Sequence, residues 1–154
     1  MEILLSKPVL IGIHLGFAII GIDAFLWLLG EIKGKARRTP ILWTAIIGVG
    51  SFFISWIAGG YYYVNFYGSL VKPGIKAGLA PWAHGIAMET KEHIFLFIIP
   101  MAMTVLFATL IPTEELEMSG LKKSVMYLVA YTAALGLFVG LLGFIISAAA
   151  RWGS

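Results

Sequence analysis

The sequence contains no cysteine and little charge, and each shortage excludes a class of protein. Without cysteine, the chain cannot form a disulfide, a thiolate metal site, an iron–sulfur cluster or a covalent c-type haem attachment. Charged residues make up 12% of the sequence and apolar residues 60%, whereas an ordinary soluble domain has about 25% and about 45–50%. This composition indicates an integral membrane protein. We attribute the net charge of +3 to membrane topology and expect no nucleic-acid binding.

Four apolar stretches are long enough to cross a bilayer, since about 20 helical residues span roughly 30 Å of hydrocarbon. We predict membrane-spanning helices at about 8–30, 41–59, 87–111 and 124–150. A loop is expected over 60–81, between the second and third spans. The predicted fold class is all-α, with residues 1–154 forming a single four-helix bundle in the lipid bilayer.

Basic residues are concentrated in the two loops that follow the first and third spans. The first loop carries Lys33, Lys35, Arg37 and Arg38, and the second carries Lys122 and Lys123. Together these loops hold six of the eleven basic residues, and basic loops favour the cytoplasmic side. The distribution predicts that both termini lie outside, which means the periplasm if the membrane is a bacterial inner membrane.

The three histidines lie towards one side of the predicted bundle. His14 is in the first span, while His84 and His93 are near the start of the third, which runs parallel to the first. Counted from the inner ends of their spans, His14 and His93 stand about 24 Å and about 27 Å high, at about 1.5 Å per residue. Two imidazoles at one level could provide both axial ligands of an iron. We therefore predict haem b near the outer face, between the first and third spans.

Residues around His93 have separate expected roles. Glu89 is one helical turn away and is expected to hold the His93 imidazole by a hydrogen bond. His84 is nine residues before His93, on the opposite helical face, and is expected to be solvated or to serve as a spare ligand. Lys91 and Glu92 are expected to be hydrated at the membrane boundary.

Asp23 is an ionisable residue within an otherwise apolar span. An unpaired charge at that depth costs several kcal/mol, so such residues are usually neutralised or functional. We expect Asp23 to be a buried, neutral carboxyl group or a proton-handling group on the inner half of the bundle.

The placement of His14 and His93 resembles that in the small four-helix membrane b-type cytochromes, over most of the chain. The resemblance implies electron transfer or haem-based redox chemistry, as an oxidoreductase or a subunit of one, with a quinone or another redox partner. Many members of that group bind two haems. Three histidines permit at most one haem with two histidine ligands.

Two other interpretations stay open. In the first, His14, Glu89 and His93 bind or transport a transition metal without haem, with non-haem iron, copper or zinc as the candidates. In the second, the polar residues serve the assembly of an accessory subunit, within a homo-oligomer or a larger membrane complex. An absorption spectrum and a metal analysis of the purified protein would distinguish the haem from the metal.

Overall fold

The computed structural model describes residues 3–34 and 36–152. Lys35, on which the predicted topology partly rests, lies outside the described residues. The helices in chain order are α1 (Lys7–Lys33), α2 (Arg38–Tyr62), π1 (Tyr63–Val71), α3 (Lys72–Ala77), π2 (Ala83–Met88), α4 (Glu89–Ala108), α5 (Thr113–Met118) and α6 (Lys122–Trp152). No strand occurs in the part of the chain that the structure describes. The predicted all-α fold is confirmed.

Four helical segments are long and apolar enough to cross a membrane. They are Lys7–Lys33, Arg38–Ala77, Ala83–Ala108 and Lys122–Trp152. Each contains most or all of one predicted span. The chain is therefore a multi-pass membrane protein by the length and composition of its helices.

The second segment is much longer than its predicted span. It runs without interruption from α2 through π1 into α3, over 40 residues, which is roughly 60 Å at about 1.5 Å per residue. The loop expected over 60–81 is wrong, because the chain is helical as far as Ala77. Pro73 lies in the first turn of α3.

The long helices form a ring of four. Both α1 and α4 pack against α2 and α6, so α1 and α4 lie diagonally opposite each other. We call the half with the connections at 34–37 and 109–121 the loop half. The other half, where α1 begins and α6 ends, is called the terminal half.

The loop half has a dense apolar core. Phe25 of α1 stacks on Phe52 of α2 with ring centroids 5.4 Å apart. A Cβ at Gly48 would lie 2.8 Å from the Phe25 ring, so glycine provides the space that this ring occupies. The buried members of this loop-half core are Ile22, Phe25, Leu28, Ile32, Ile41, Ala45, Val49, Phe52, Ile98, Ala102, Val105, Leu116, Val125, Val129, Ala133 and Val139.

The terminal half is closed by a cap, which we define as residues 63–88. In the cap, α3 and π2 pack against α6. Its apolar cluster, the cap core, contains Tyr67, Ile75, Ala83, Ala87, Met88, Leu142, Ile146 and Ala149. Helices of the π type are rare and frequently mark functional sites, which directs attention to the residues beneath the cap.

Candidate functional site

A layer of polar side chains separates the two apolar cores. We call it the polar layer, and its members are His14, Ser55, Tyr63, Lys91 and Glu92. Its position follows from the chain at π2 and α4, where Met88 of π2 belongs to the cap core and Ile94 of α4 packs on the loop-half core. Lys91 and Glu92 lie between these two residues along the helix. The layer draws on α1, α2, π1 and α4, so it extends across the bundle.

His14 is held against α2 by a set of short hydrogen bonds. Its Nδ1 lies 2.8 Å from the Ser55 carbonyl oxygen and 3.0 Å from the Ser55 hydroxyl. The Ser55 hydroxyl in turn donates to the His14 carbonyl oxygen over 2.9 Å. Because a carbonyl oxygen only accepts, the neutral imidazole carries its proton on Nδ1 and keeps a lone pair on Nε2.

Gly59 makes room for the His14 ring. A Cβ at position 59 would lie 2.5 Å from His14 Nδ1, closer than any stable contact allows. The adjacent Gly60 has no atom within 4 Å of such a Cβ. The first glycine of the pair is therefore required by the imidazole, and the second is not.

Lys91 points into the bundle, which corrects the expectation that it is hydrated. Its Nζ would lie 3.4 Å from a Cβ at Gly143 of α6, and its charge interacts with His14 across the bundle. The structure gives the ammonium no hydrogen bond to another described residue. The expectation failed because the sequence does not show which face of α4 is directed inward.

Glu92 is also directed inward and is not simply hydrated. Its Oε1 is buried and has no hydrogen-bond partner among the described residues. The charge of the carboxylate interacts with Tyr63 of π1 and with the neighbouring Lys91 ammonium. An incompletely satisfied buried carboxylate is costly, so the residue needs an explanation beyond packing.

His84 is buried in the cap, which corrects the expectation that it is solvated. Only 6% of the residue is exposed, and its Nδ1 lies 3.1 Å from the Tyr67 hydroxyl. Tyr67 stacks on Tyr63 with ring centroids 5.2 Å apart. The helix begins at Ala83 in π2 rather than at about residue 87, so His84 lies inside the cap. There, π1 presents both tyrosines to the interior.

His93 lies on the outer surface of α4. Its Nδ1 is 2.6 Å from the backbone carbonyl oxygen of Glu89, so the backbone of Glu89, not its carboxylate, orients the imidazole. His93 and Glu89 line a shallow groove of about 400 Å³, together with Gly85, Ile86, Thr90 and Ile94. Its Nε2 therefore keeps its lone pair on the outer surface of the bundle.

The structure does not direct His14 and His93 to a common point. Lys91 faces His14, and His93 is two residues further on, rotated by about 200° at about 3.6 residues per turn. The structure therefore places the His14 imidazole against α2 inside the bundle and the His93 imidazole on the outer surface. His14, Glu89 and His93 do not form a three-ligand metal site, since the described residues contain no group of three or more candidate ligands.

Asp23 is exposed on α1, which corrects the expectation of a buried carboxyl group. On the same side of the helix, one turn apart, the Trp27 indole donates to the Glu31 carboxylate over 3.1 Å. Asp23 thus faces lipid or a partner, away from the polar layer. The structure gives Asp23 no hydrogen bond or ion pair to another residue in the described part of the chain.

Ser55, Tyr63 and Tyr67 are not among the site residues expected from the sequence. A signal existed for the tyrosines, since a run of three at 61–63 is followed by a fourth at Tyr67, but a membrane-interface role explained them equally well. Ser55 gave no signal, because a lone serine in a helix usually bonds its own backbone.

Comparisons with protein-family models, with curated proteins and with solved structures returned no match for this chain. The site is therefore interpreted from its own chemistry. Within the described residues, it combines an imidazole whose Nε2 has no partner, an ammonium without a hydrogen bond and a carboxylate with one oxygen that lacks a partner. All three groups can gain or lose a proton.

Proposed function

We propose that this chain is a membrane protein whose polar layer takes up and releases protons for a redox or transport reaction. The observation that carries the proposal is that Lys91 and Glu92 of α4 are directed into the bundle between two apolar cores, where the Lys91 charge interacts with His14 of the diagonally opposite α1. If the chain is an accessory subunit of a larger complex, its polar layer would take up and release protons in the same way.

The energetics argue against a purely structural role for the layer. Charged groups removed from water lose several kcal/mol of solvation, and apolar replacements are often neutral or stabilising. In a polar layer built only for stability, the ammonium of Lys91 and the Oε1 of Glu92 would have hydrogen-bond partners. Ionisable residues at such positions in membrane proteins are functional candidates by default.

The three ionisable residues His14, Glu92 and Lys91 have distinct roles in handling a proton. The Nε2 of His14 can accept one while Nδ1 keeps its bond to Ser55. The Glu92 carboxylate can accept one at the oxygen that lacks a partner. Lys91 interacts with both groups, so its positive charge links the two sites electrostatically.

The test is infrared difference spectroscopy of the full chain in lipid, recorded as a function of pH. It is carried out in an Asp23→Asn background, so that the carboxyl group in the middle of the first spanning segment does not contribute. We expect a carboxylic-acid C=O band that appears as the pH falls and shifts in deuterium oxide. Glu92→Gln should remove this band, whereas Glu115→Gln, on the surface of α5, should retain it. A set of bands unchanged by Glu92→Gln would overturn the proposal.

Haem b is a second candidate ligand, favoured by one observation. Because Nδ1 of His93 donates to the Glu89 carbonyl, the free Nε2 is in the form that binds iron. The absorption spectrum of protein made with haem in excess would show whether the chain binds haem. Haem that is lost in His14→Ala and His93→Ala but kept in His84→Ala would support ligation by the first two. A colourless protein with stoichiometric metal would favour a non-haem site instead.

We also propose that both termini lie outside the cytoplasm. The guanidinium of Arg38 donates to the Leu110 carbonyl oxygen over 2.7 Å, which joins the two basic loops at one end of the bundle. A reporter active only in the cytoplasm should work in the 31–40 loop and fail after Ser154. The reverse pattern would invert the topology, and neutralising the basic residues of the first loop should weaken the orientation.

A further inference from the structure

The outer face of α4 carries a pair of metal-ligating side chains that the polar layer does not use. Glu89 and His93 are one helical turn apart, both are exposed, and both line the groove described above. Side chains at this spacing lie on the same helix face. A His and a second ligand four residues apart on one helix is an established arrangement for binding a divalent metal.

The hydrogen bond within α4 prepares His93 for ligation. Its Nδ1 donates to the Glu89 carbonyl over 2.6 Å, which fixes the ring and leaves the Nε2 lone pair free. Backbone carbonyls orient metal-bound histidines in the same way. The structure gives the Glu89 carboxylate no hydrogen bond or ion pair to another described residue, so its oxygens are also free to bind.

We propose that two copies of this chain bind one divalent transition-metal ion between their α4 helices, each copy supplying Glu89 and His93. A single chain offers two ligands here, and its described residues contain no group of three. Zinc in a closed site takes four ligands. Two-fold symmetry, the commonest in soluble oligomers, brings the same patch of both subunits together and so doubles two ligands to four.

The surroundings of the pair suit a second copy of the helix. Gly85 has no side chain and no atom within 4 Å of a Cβ built on it, and Thr90 is small. Small residues allow membrane helices to approach closely. Because α1 lies diagonally across the bundle and α2 and α6 flank α4, the outer face of α4 is left open by the chain's own helices. Contact with a second copy would also remove the carboxylate from lipid.

The experiment measures the molar mass and zinc content of the full chain in detergent, after chelation with EDTA and after adding Zn²⁺. We expect a monomer after chelation and a dimer with one zinc per two chains after addition. Glu89→Gln and His93→Ala should each weaken zinc-dependent dimerisation at least tenfold. Glu114→Gln, which removes an exposed carboxylate from α5, is the matched control and should dimerise as the wild type does. Helix content by circular dichroism verifies that every variant is folded.

Several results would overturn this proposal. They are a chain that stays monomeric with zinc, a dimer that persists in EDTA, one zinc bound per chain, or unchanged zinc-dependent dimerisation in His93→Ala. The outcome is independent of the polar layer, since Glu92 is on the inner side of α4. Glu92→Gln should lose its infrared band and keep the zinc-dependent dimer.

Discussion

The loop half and the terminal half of the bundle bury different kinds of side chain. In the loop half, aromatic and aliphatic residues fill the space between the helices, and Gly48 admits a phenylalanine ring. In the terminal half, Gly59 admits an imidazole and Gly143 lies beside an ammonium. In both halves a glycine faces a large side chain. This arrangement serves apolar packing in the loop half and a polar network in the terminal half. Substitutions in the loop half should therefore lower stability. Substitutions in the terminal half should lower stability and also impair function.

The largest loss of stability is expected from Phe25→Ala in the loop half. Phe25 is 0% exposed, and removing a buried phenylalanine side chain typically costs about 3–5 kcal/mol. Phe144→Ala, at a residue that is 72% exposed, is the control and should change the free energy of unfolding by less than about 0.5 kcal/mol. Unfolding by sodium dodecyl sulfate in mixed micelles measures both. Equal losses for the two variants would mean that the loop half is not held by dense packing.

A smaller loss is expected from Gly59→Ala in the terminal half. The new Cβ would lie 2.5 Å from His14 Nδ1, so the imidazole has to move away from Ser55. Overpacking of this kind costs up to about 3 kcal/mol. At the neighbouring Gly60, alanine meets no atom within 4 Å and should stabilise the helix by up to about 1 kcal/mol. The same unfolding measurement distinguishes the two, and similar values would refute the close fit of His14.

The sequence predicted the bundle well because hydrophobic length is a local property. Each span needed only about 20 apolar residues, and the structure contains four such segments. The exception is the second segment, which continues through π1 and α3. Its polar residues and glycines resemble those of a loop, but Tyr67 and Ile75 of this stretch join residues of α6 in the cap core.

The site was harder to predict, because it depends on helix rotation. His14 and His93 do lie in helices that run parallel, as expected, but Lys91 rather than His93 faces His14. Helix α4 carries ionisable residues on opposite sides, so its sequence alone does not indicate the inner face. The burial of His84 likewise depends on Tyr67, which is 17 residues away in the chain.

Tyr67→Phe should have a moderate effect, confined to the terminal half. It removes the hydroxyl that lies 3.1 Å from His84 Nδ1 and leaves a buried imidazole nitrogen without a partner. Such a loss costs about 1–2 kcal/mol. Tyr131→Phe, at an exposed tyrosine of α6, is the matched control and should be neutral. Hydrogen exchange should show faster exchange of the cap amides in Tyr67→Phe only. Uniform acceleration over both halves would contradict a separate cap.

The smallest effect is expected from Lys122→Met at the start of α6. Its Nζ lies 2.6 Å from a Glu117 carboxylate oxygen, and the side chains are 14% and 37% exposed. Water and salt screen such a pair, and both side chains lose rotamer freedom in forming it, so exposed ion pairs contribute about 0–1 kcal/mol. We expect a loss below about 0.5 kcal/mol, at the low end of that range. Lys123→Met, one residue further on and exposed, is the control. A loss approaching that of Phe25→Ala would show that loop contacts, rather than the apolar core, hold the loop half together.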